Sequence, residues 1–174
     1  APAQTPPVDL ELIIALDVSG SIDQDEARLQ RVGFQSALTN PLVIAAVKRG
    51  RHARIAVTYF EWDSVDSQTT VVDWRLIEDE ASAETFVGML EDTPPRSGNR
   101  TSISGAIDFA MKRFAQGPYR GTRRVIDVSG DGANNSGRAL AEGRAEALAA
   151  GVTINGLPIL GDHSGLPSYT SPED

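Results

Sequence analysis

The chain has 174 residues, a formal net charge of -8 and no cysteine, with 40% hydrophobic and 23% charged residues. Those figures suit a single globular domain with a proper core, and the acidity disfavours non-specific binding to nucleic acid or anionic membrane. The absence of cysteine excludes disulfides, thiolate zinc sites and cysteine nucleophiles, and no stretch approaches the roughly 18 apolar residues of a membrane span.

Residues 1–9, APAQTPPVD, read as a flexible, Pro-rich lead-in of the kind left by signal-peptide cleavage, so an exported protein, periplasmic or extracellular, is expected. Residues 10–22, LELIIALDVSGSI, follow. An apolar run without period-two alternation predicts a strand buried on both faces of a parallel sheet, and the strand runs into a tight loop carrying Asp17, Ser19 and Ser21. Asp23 is the expected N-cap of a helix reaching about Leu38, with Glu26 as capping-box partner and Leu29, Val32, Gly33 and Ser36 on the inner face. Asn40-Pro41 breaks that helix, and 42–48 reads as a short helical segment closed by Gly50. Residues 54–62 and 68–77 are β-branched and aromatic strands, joined by a DSVDS connection of hairpin length.

Residues 79–91 carry a helical pattern with Ala83, Phe86, Val87 and Leu90 on one side. A loop over 93–100 ends at Thr101. Ile103, Ala106, Ile107, Ala110 and Phe114 then give the clearest helical period in the chain, ended by Gly117-Pro118. Residues 123–128 predict a strand, 129–135 a polar loop with Asp131, 139–150 an Ala-rich helix, and 152–160 a last strand. Alternating strands and helices argue for an α/β fold of three layers, a mostly parallel sheet with one antiparallel edge strand and helices on both faces.

Three loops at strand ends or helix starts therefore carry oxygen side chains: Asp17, Ser19 and Ser21 in the first, Thr101 in the second, and Asp131 in the third, with Asp127 as the alternative carboxylate. Carboxylate and hydroxyl oxygens without His or Cys suit a hard divalent cation, and loops at the C-terminal ends of parallel strands converge from distant sequence positions. An Asp-x-Ser-x-Ser segment alone is more often a helix-capping loop; Thr101 and Asp131 in order shift the balance to metal. Arg96 and Arg100 flank the threonine as a solvated rim or a steering pair, Trp62 and Trp74 read as packing residues, and Asn99-Arg100-Thr101 and Asn134-Asn135-Ser136 fit the glycosylation sequon.

With these motifs the chain resembles a von Willebrand factor type A (VWA) domain with a metal-ion-dependent adhesion site (MIDAS). Asp17, Ser19 and Ser21 match the family's Asp-x-Ser-x-Ser, Thr101 its threonine before a long helix, and Asp131 its aspartate after the central strand. The FEWDS and IDVSGDGANN segments are similar to an uncharacterised branch of exported bacterial proteins with this domain. The resemblance implies a Rossmann-like VWA fold over 10–160, a tail over 161–174 lacking the family's final strand and helix, and metal ligation by Asp17, Ser19, Ser21, Thr101 and Asp131. It also implies a divalent cation, Mg²⁺ before Mn²⁺ or Ca²⁺, and a protein partner presenting Asp or Glu, with no nucleic acid partner and no catalytic residues. The alternatives are a hydrolase or phosphatase using the same cation as a Lewis acid, or a subunit of a larger metal-handling or chaperone-like assembly. Enzyme signatures are poor: neither Ser19 nor Ser129 sits in a nucleophile elbow, and no Gly-x-x-x-x-Gly-Lys loop is present.

Overall fold

The computed structural model describes residues 5–20, 24–93, 96, 98–130 and 133–158. Among the described residues five strands form one sheet in the order β3-β2-β1-β4-β5. They are β1 (Pro7–Asp17), β2 (Ile55–Trp62), β3 (Gln68–Ile77), β4 (Arg120–Gly130) and β5 (Val152–Pro158). β1 runs parallel to both β2 and β4, β4 parallel to β5, and among the described strands only the edge strand β3 is antiparallel. The helices are α1 (Gln24–Leu38), α2 (Pro41–Lys48), α3 (Glu80–Glu91), α4 (Ile103–Gln116) and α5 (Leu140–Ala149).

The central strand is buried because the two periodic faces of β1 each meet helices. Ile13 and Ala15 join Phe60, Trp62, Ile126 and Val128 beneath α4 and α5, where Ile107, Ala110, Phe114 and Ala147 close the layer. Ile14 and Leu16 join Val57 and Tyr59 on the other side, under Leu38, Ile44, Val47, Ala83, Phe86 and Leu90 of α1, α2 and α3. Each large side chain so enclosed contributes about 1.5–3 kcal/mol of transfer free energy. Trp62 and Trp74 are both buried in the first of these layers.

Three sequence expectations are corrected. Residues 7–9 are strand rather than lead-in, and β4 starts at Arg120 rather than Arg123. The two extensions are one feature, since Pro7 pairs with Arg120 and Val8 with Gly121, with Pro7 at the strand's first position, where no ladder donor is needed. The inner face of α1 is also different. Leu29 is 72% and Val32 47% exposed, and Gly33 and Ser36 are exposed too, whereas Ala27, Arg31 and Leu38 are buried. Arg31, which a hydrophobic pattern assigns to solvent, finds an ionic partner inside, and with Ala27, Arg31 and Leu38 on the covered face Leu29 and Val32 point out. Beside them a groove between Gly33, Phe34 and Ala37 of α1 and Ser129, Leu157 and Pro158 stays open among the described residues. The predicted cap Asp23 and positions 159–160 of the last strand lie outside the described residues.

The hairpin carries a feature invisible in its alternation pattern. Val57 faces Arg75, Tyr59 faces Val72 and Phe60 faces Thr70, so β3 has an extra residue at each step. These are β-bulges, and they send Val72 and Trp74, two apart in sequence, to opposite faces. Arg113 of α4 reaches the irregularity, donating to Asp73 and to Thr58 Oγ1 at 2.9 Å.

Candidate metal centre

Strand alternation carries Asp17 on from the Ile13–Ala15 row to the C-terminal edge of the sheet, where it is fully buried. Its Oδ1 accepts from Ser19 N at 2.8 Å, the two-residue-on bond that shapes Asx turns, and Ser19 is 1% exposed. Val18 between them is held at both backbone groups: its N–H donates to Trp62 O at 2.9 Å, and its carbonyl accepts from Gly98 N at 2.6 Å. Space is tight around this turn. A Cβ on Gly130, at the end of β4, would sit 3.0 Å from Asp17 Oδ2, and one on Gly20 would sit 3.0 Å from Gly98 O. The ends of β1, β2 and β4 and the loop after α3 thus meet at Asp17.

The Thr101 loop rests on the β2–β3 turn. Asp63 accepts from Ser64 N and from Ser67 Oγ at 2.9 Å, and its carbonyl accepts from Ser102 N at 2.6 Å. Ser102 caps α4 by accepting from Gly105 N at 3.1 Å, and its hydroxyl donates to Ser136 O at 2.8 Å. Thr101, 5% exposed, is fixed by a reciprocal pair of bonds: its N–H to Asn135 Oδ1 at 3.0 Å, and Asn135 N–H to its carbonyl at 2.9 Å. Asn134 adds a second clip, its Oδ1 accepting from Ser104 N at 3.1 Å. Gly137 closes this third loop at φ +85°, where a Cβ would fall 2.8 Å from both Ser102 Oγ and Ser104 Oγ. Both the backbone angle and the space there require glycine.

Of the residues singled out in sequence, Asp17, Ser19 and Thr101 are described, and their loops are bonded into one assembly. Ser21 and Asp131 lie outside the described residues. Asp127 is inside β4, opposite Ile14, with its Oδ1 accepting from Asn155 Nδ2 at 2.8 Å. Burial holds its carboxyl above the ordinary carboxylate range, against the lowering effect of that bond. Arg96 and Arg100 are exposed. Asp63, Gly98, Ser102, Asn134 and Asn135, which organise the loops, were missed by sequence reasoning. Asn134 and Asn135 stood out there only as part of a sequon and of the IDVSGDGANN segment, and nothing local ties them to residues some 30 positions earlier.

Among the described residues no group of three or more His, Cys, Asp or Glu is placed to hold a metal. The described donors are instead one carboxylate and two hydroxyls, all nearly or fully buried. That set, in a cradle that a Cβ on Gly130 would crowd, fits a hard divalent cation better than a soft one.

A family model described as "Protein of unknown function (DUF1194)" matches residues 7–170. The chain belongs to this family. Among solved structures it is similar to proximal thread matrix protein 1 from the mussel byssus with a zinc-occupied MIDAS motif, at 18% identity over 86% of this chain and 37% of that one, TM-score 0.66. It is similar to an aerotolerance-related membrane protein from Bacteroides fragilis NCTC 9343, at 22% identity over 92% of this chain and 77% of that one, TM-score 0.58. A von Willebrand factor type A protein from Catenulispora acidiphila aligns at 16% identity over 86% and 32% of the two chains, TM-score 0.57. What is shared at these identities is the VWA fold, a Rossmann-like α/β architecture. The chain spans little more than a third of the mussel chain's length. No curated protein matches it.

Proposed function

We propose that this DUF1194 domain is an adhesion-type protein-binding module of the exported compartment, in which Asp17, Ser19, Ser21, Thr101 and Asp131 hold a divalent cation, Mg²⁺ first. The observation that carries the reading is the bonding of the loops to one another. Gly98 N to Val18 O and the Thr101–Asn135 pair bring a buried carboxylate and two buried hydroxyls to one edge of a parallel sheet, where such folds hold ligands. The mussel relative's zinc-occupied MIDAS supports a divalent ion in this fold.

When bound, the cation supplies a coordination position for an anionic oxygen from outside. The protein's own contribution is positional. Ser19 N–H fixes the Asp17 carboxylate, and the Asn135 clip fixes Thr101, so these two residues need little ordering on binding. A hydroxyl-rich donor set leaves the ion's charge less neutralised than a carboxylate cage would, which favours an Asp or Glu side chain of a partner protein as the incoming group. Arg96 and Arg100, exposed on the second loop, favour the same acidic partner by their field. On this reading the residues serve to hold the ion and present it to a partner, so the module is read as a binder and not a catalyst.

Calorimetric titration of chelator-stripped protein with Mg²⁺ tests the site: one binding event is expected, absent in Asp17→Ala. Affinity capture from the native host with Mg²⁺ or chelator tests the function. A partner whose binding ignores both chelator and Thr101→Ala would refute the adhesion-site reading.

A further inference from the structure

α1 carries two consecutive polar residues that reach the other two loops of the centre. Gln30 Oε1 accepts from Ser129 Oγ at 2.9 Å. Ser129 is 2% exposed and immediately precedes Gly130, the residue packed on Asp17. Arg31, 5% exposed, reaches in two further directions. Its Nε donates to Glu61 Oε1 at 3.0 Å, and its Nη2 bonds the same oxygen. Its Nη1 donates to Leu90 O at 3.1 Å and also to Thr93 O, the last turn of α3 and the first step of the loop toward Thr101.

Glu61 sits where the two halves of the site are hung. It is 1% exposed and pairs across the sheet with Leu16, and the next two residues supply the carbonyls that hold both loops. Trp62 O takes Val18 N, and Asp63 O takes Ser102 N. A buried carboxylate–guanidinium pair is seldom the cheapest way to hold a core together, since apolar residues of similar volume often do as well. A guanidinium, however, has a fixed fork of five donors that serves one carboxylate and two carbonyls at once.

We infer that Arg31 is a positioning residue for the cation centre: through Glu61 and the C-terminal carbonyls of α3 it sets the spacing between the Asp17 turn and the Thr101 loop, with Gln30 holding the β4 end as its second arm. α1 starts after the Asp17 turn, so its bonds among the described residues tie it to the Thr101 loop and the β4 end as well. This inference rests on the cation reading given above. It makes the site sensitive to where α1 lies, and it gives a charged residue within a helix core a role that packing alone does not require.

The test compares Arg31→Lys and the double variant Arg31→Met with Glu61→Met against the unaltered chain. The double variant leaves no lone buried charge, so its far-UV circular dichroism and its melting in chelator stay close to those of the unaltered chain. Two readouts then separate positioning from folding. Amide hydrogen exchange in chelator reads the bonds from Gly98 N and Ser102 N directly, and both are expected to exchange faster in the double variant. Mg²⁺ titration is expected to show about tenfold weaker binding, the scale on which residues behind metal ligands act. Arg31→Lys, which keeps the charge opposite Glu61 but cannot serve all three acceptors, is expected to fall between. Unchanged exchange, or Mg²⁺ affinity within about twofold of the unaltered chain where tenfold is expected, overturns the inference. If the unaltered chain binds no Mg²⁺, the cation reading falls, and the exchange of Gly98 and Ser102 alone decides whether Arg31 positions the loops.

Discussion

Gly98 offers the sharpest test of how the centre is assembled, because a single methyl group there has nowhere to go. A Cβ at this position would lie 2.2 Å from Asp63 Oδ2 and 2.3 Å from Asp63 Cβ, more than 1 Å short of ordinary contact. Asp63 cannot turn aside cheaply, since its carboxylate serves Ser64 N and Ser67 Oγ and its carbonyl serves Ser102 N. The loop must lift instead. A lift of roughly 1 Å would stretch the 2.6 Å bond from Gly98 N to Val18 O beyond hydrogen-bonding range. Overpacking of this kind costs about 1–3 kcal/mol and the lost bond about another 1 kcal/mol. For a domain of this size that corresponds to a Tm lower by roughly 4–16 °C. The cation site suffers more, because metal ligands tolerate displacements of only about 0.2 Å. Gly98→Ala should therefore lower the melting temperature in chelator and weaken Mg²⁺ binding by about tenfold or more in titration. Combining it with Asp63→Gly should give non-additive losses, since the second change removes the obstacle. Unaltered melting and affinity in Gly98→Ala would mean that the threonine loop does not rest on the hairpin turn, and the account of the site would fail with it.

Asp127→Asn should raise the melting temperature at pH 7 and leave it unchanged near pH 3. Burial raises this carboxyl's pKa in the folded state, so its stabilising contribution is complete below the unfolded value of about 3.9 and is lost as pH rises through the folded one. An asparagine mimics the protonated form at every pH, and a fall in melting temperature at pH 7 would show that the carboxylate is the favoured form. Leu29→Ser should change stability by no more than about 0.5 kcal/mol in urea unfolding, as expected for an exposed site, whereas Phe86→Ala should cost about 3–5 kcal/mol; a severe Leu29→Ser would mean that α1 presents the other face to the sheet. Stripping divalent ions should leave the far-UV circular dichroism spectrum intact with only a modest fall in melting temperature, because both core layers form without any metal. An unfolded spectrum in chelator would make the cation structural.

Much of the architecture is written locally. The period of α4 follows from Ile103, Ala106, Ile107, Ala110 and Phe114, all buried or half-buried in one layer. The capping of α3 by Asp79 and of α2 by Asn40 uses side chains two or three residues from the amides they accept from. The β2–β3 hairpin is readable because its strands are β-branched and its connection short, and Asp17, Ser19 and Thr101 stand out because carboxylates and hydroxyls cluster at strand ends and helix starts. These signals involve neighbours within one turn or one hairpin, and periodicity and propensity report on that range.

What the chain could not disclose one residue at a time is which distant groups meet. Arg31 reads as a surface residue until Glu61, thirty positions on, takes its charge inside, on the face of α1 that also buries Ala27 and Leu38. The extra residues in β3 change no alternation that a sequence can display, yet they decide that Val72 and Trp74 face opposite layers. Asn134 and Asn135 look like ordinary turn residues, and only the adjacency of β4 to β1 and of α4 to the third loop makes them the clips of Ser104 and Thr101. The sequence by itself determined the elements, their order and the oxygen-bearing loops, because these depend on contacts between near neighbours. The tertiary structure decided the buried face of α1, the bulged hairpin and the bonding between loops, because those depend on how sheet order and helix packing bring together groups that lie tens of residues apart.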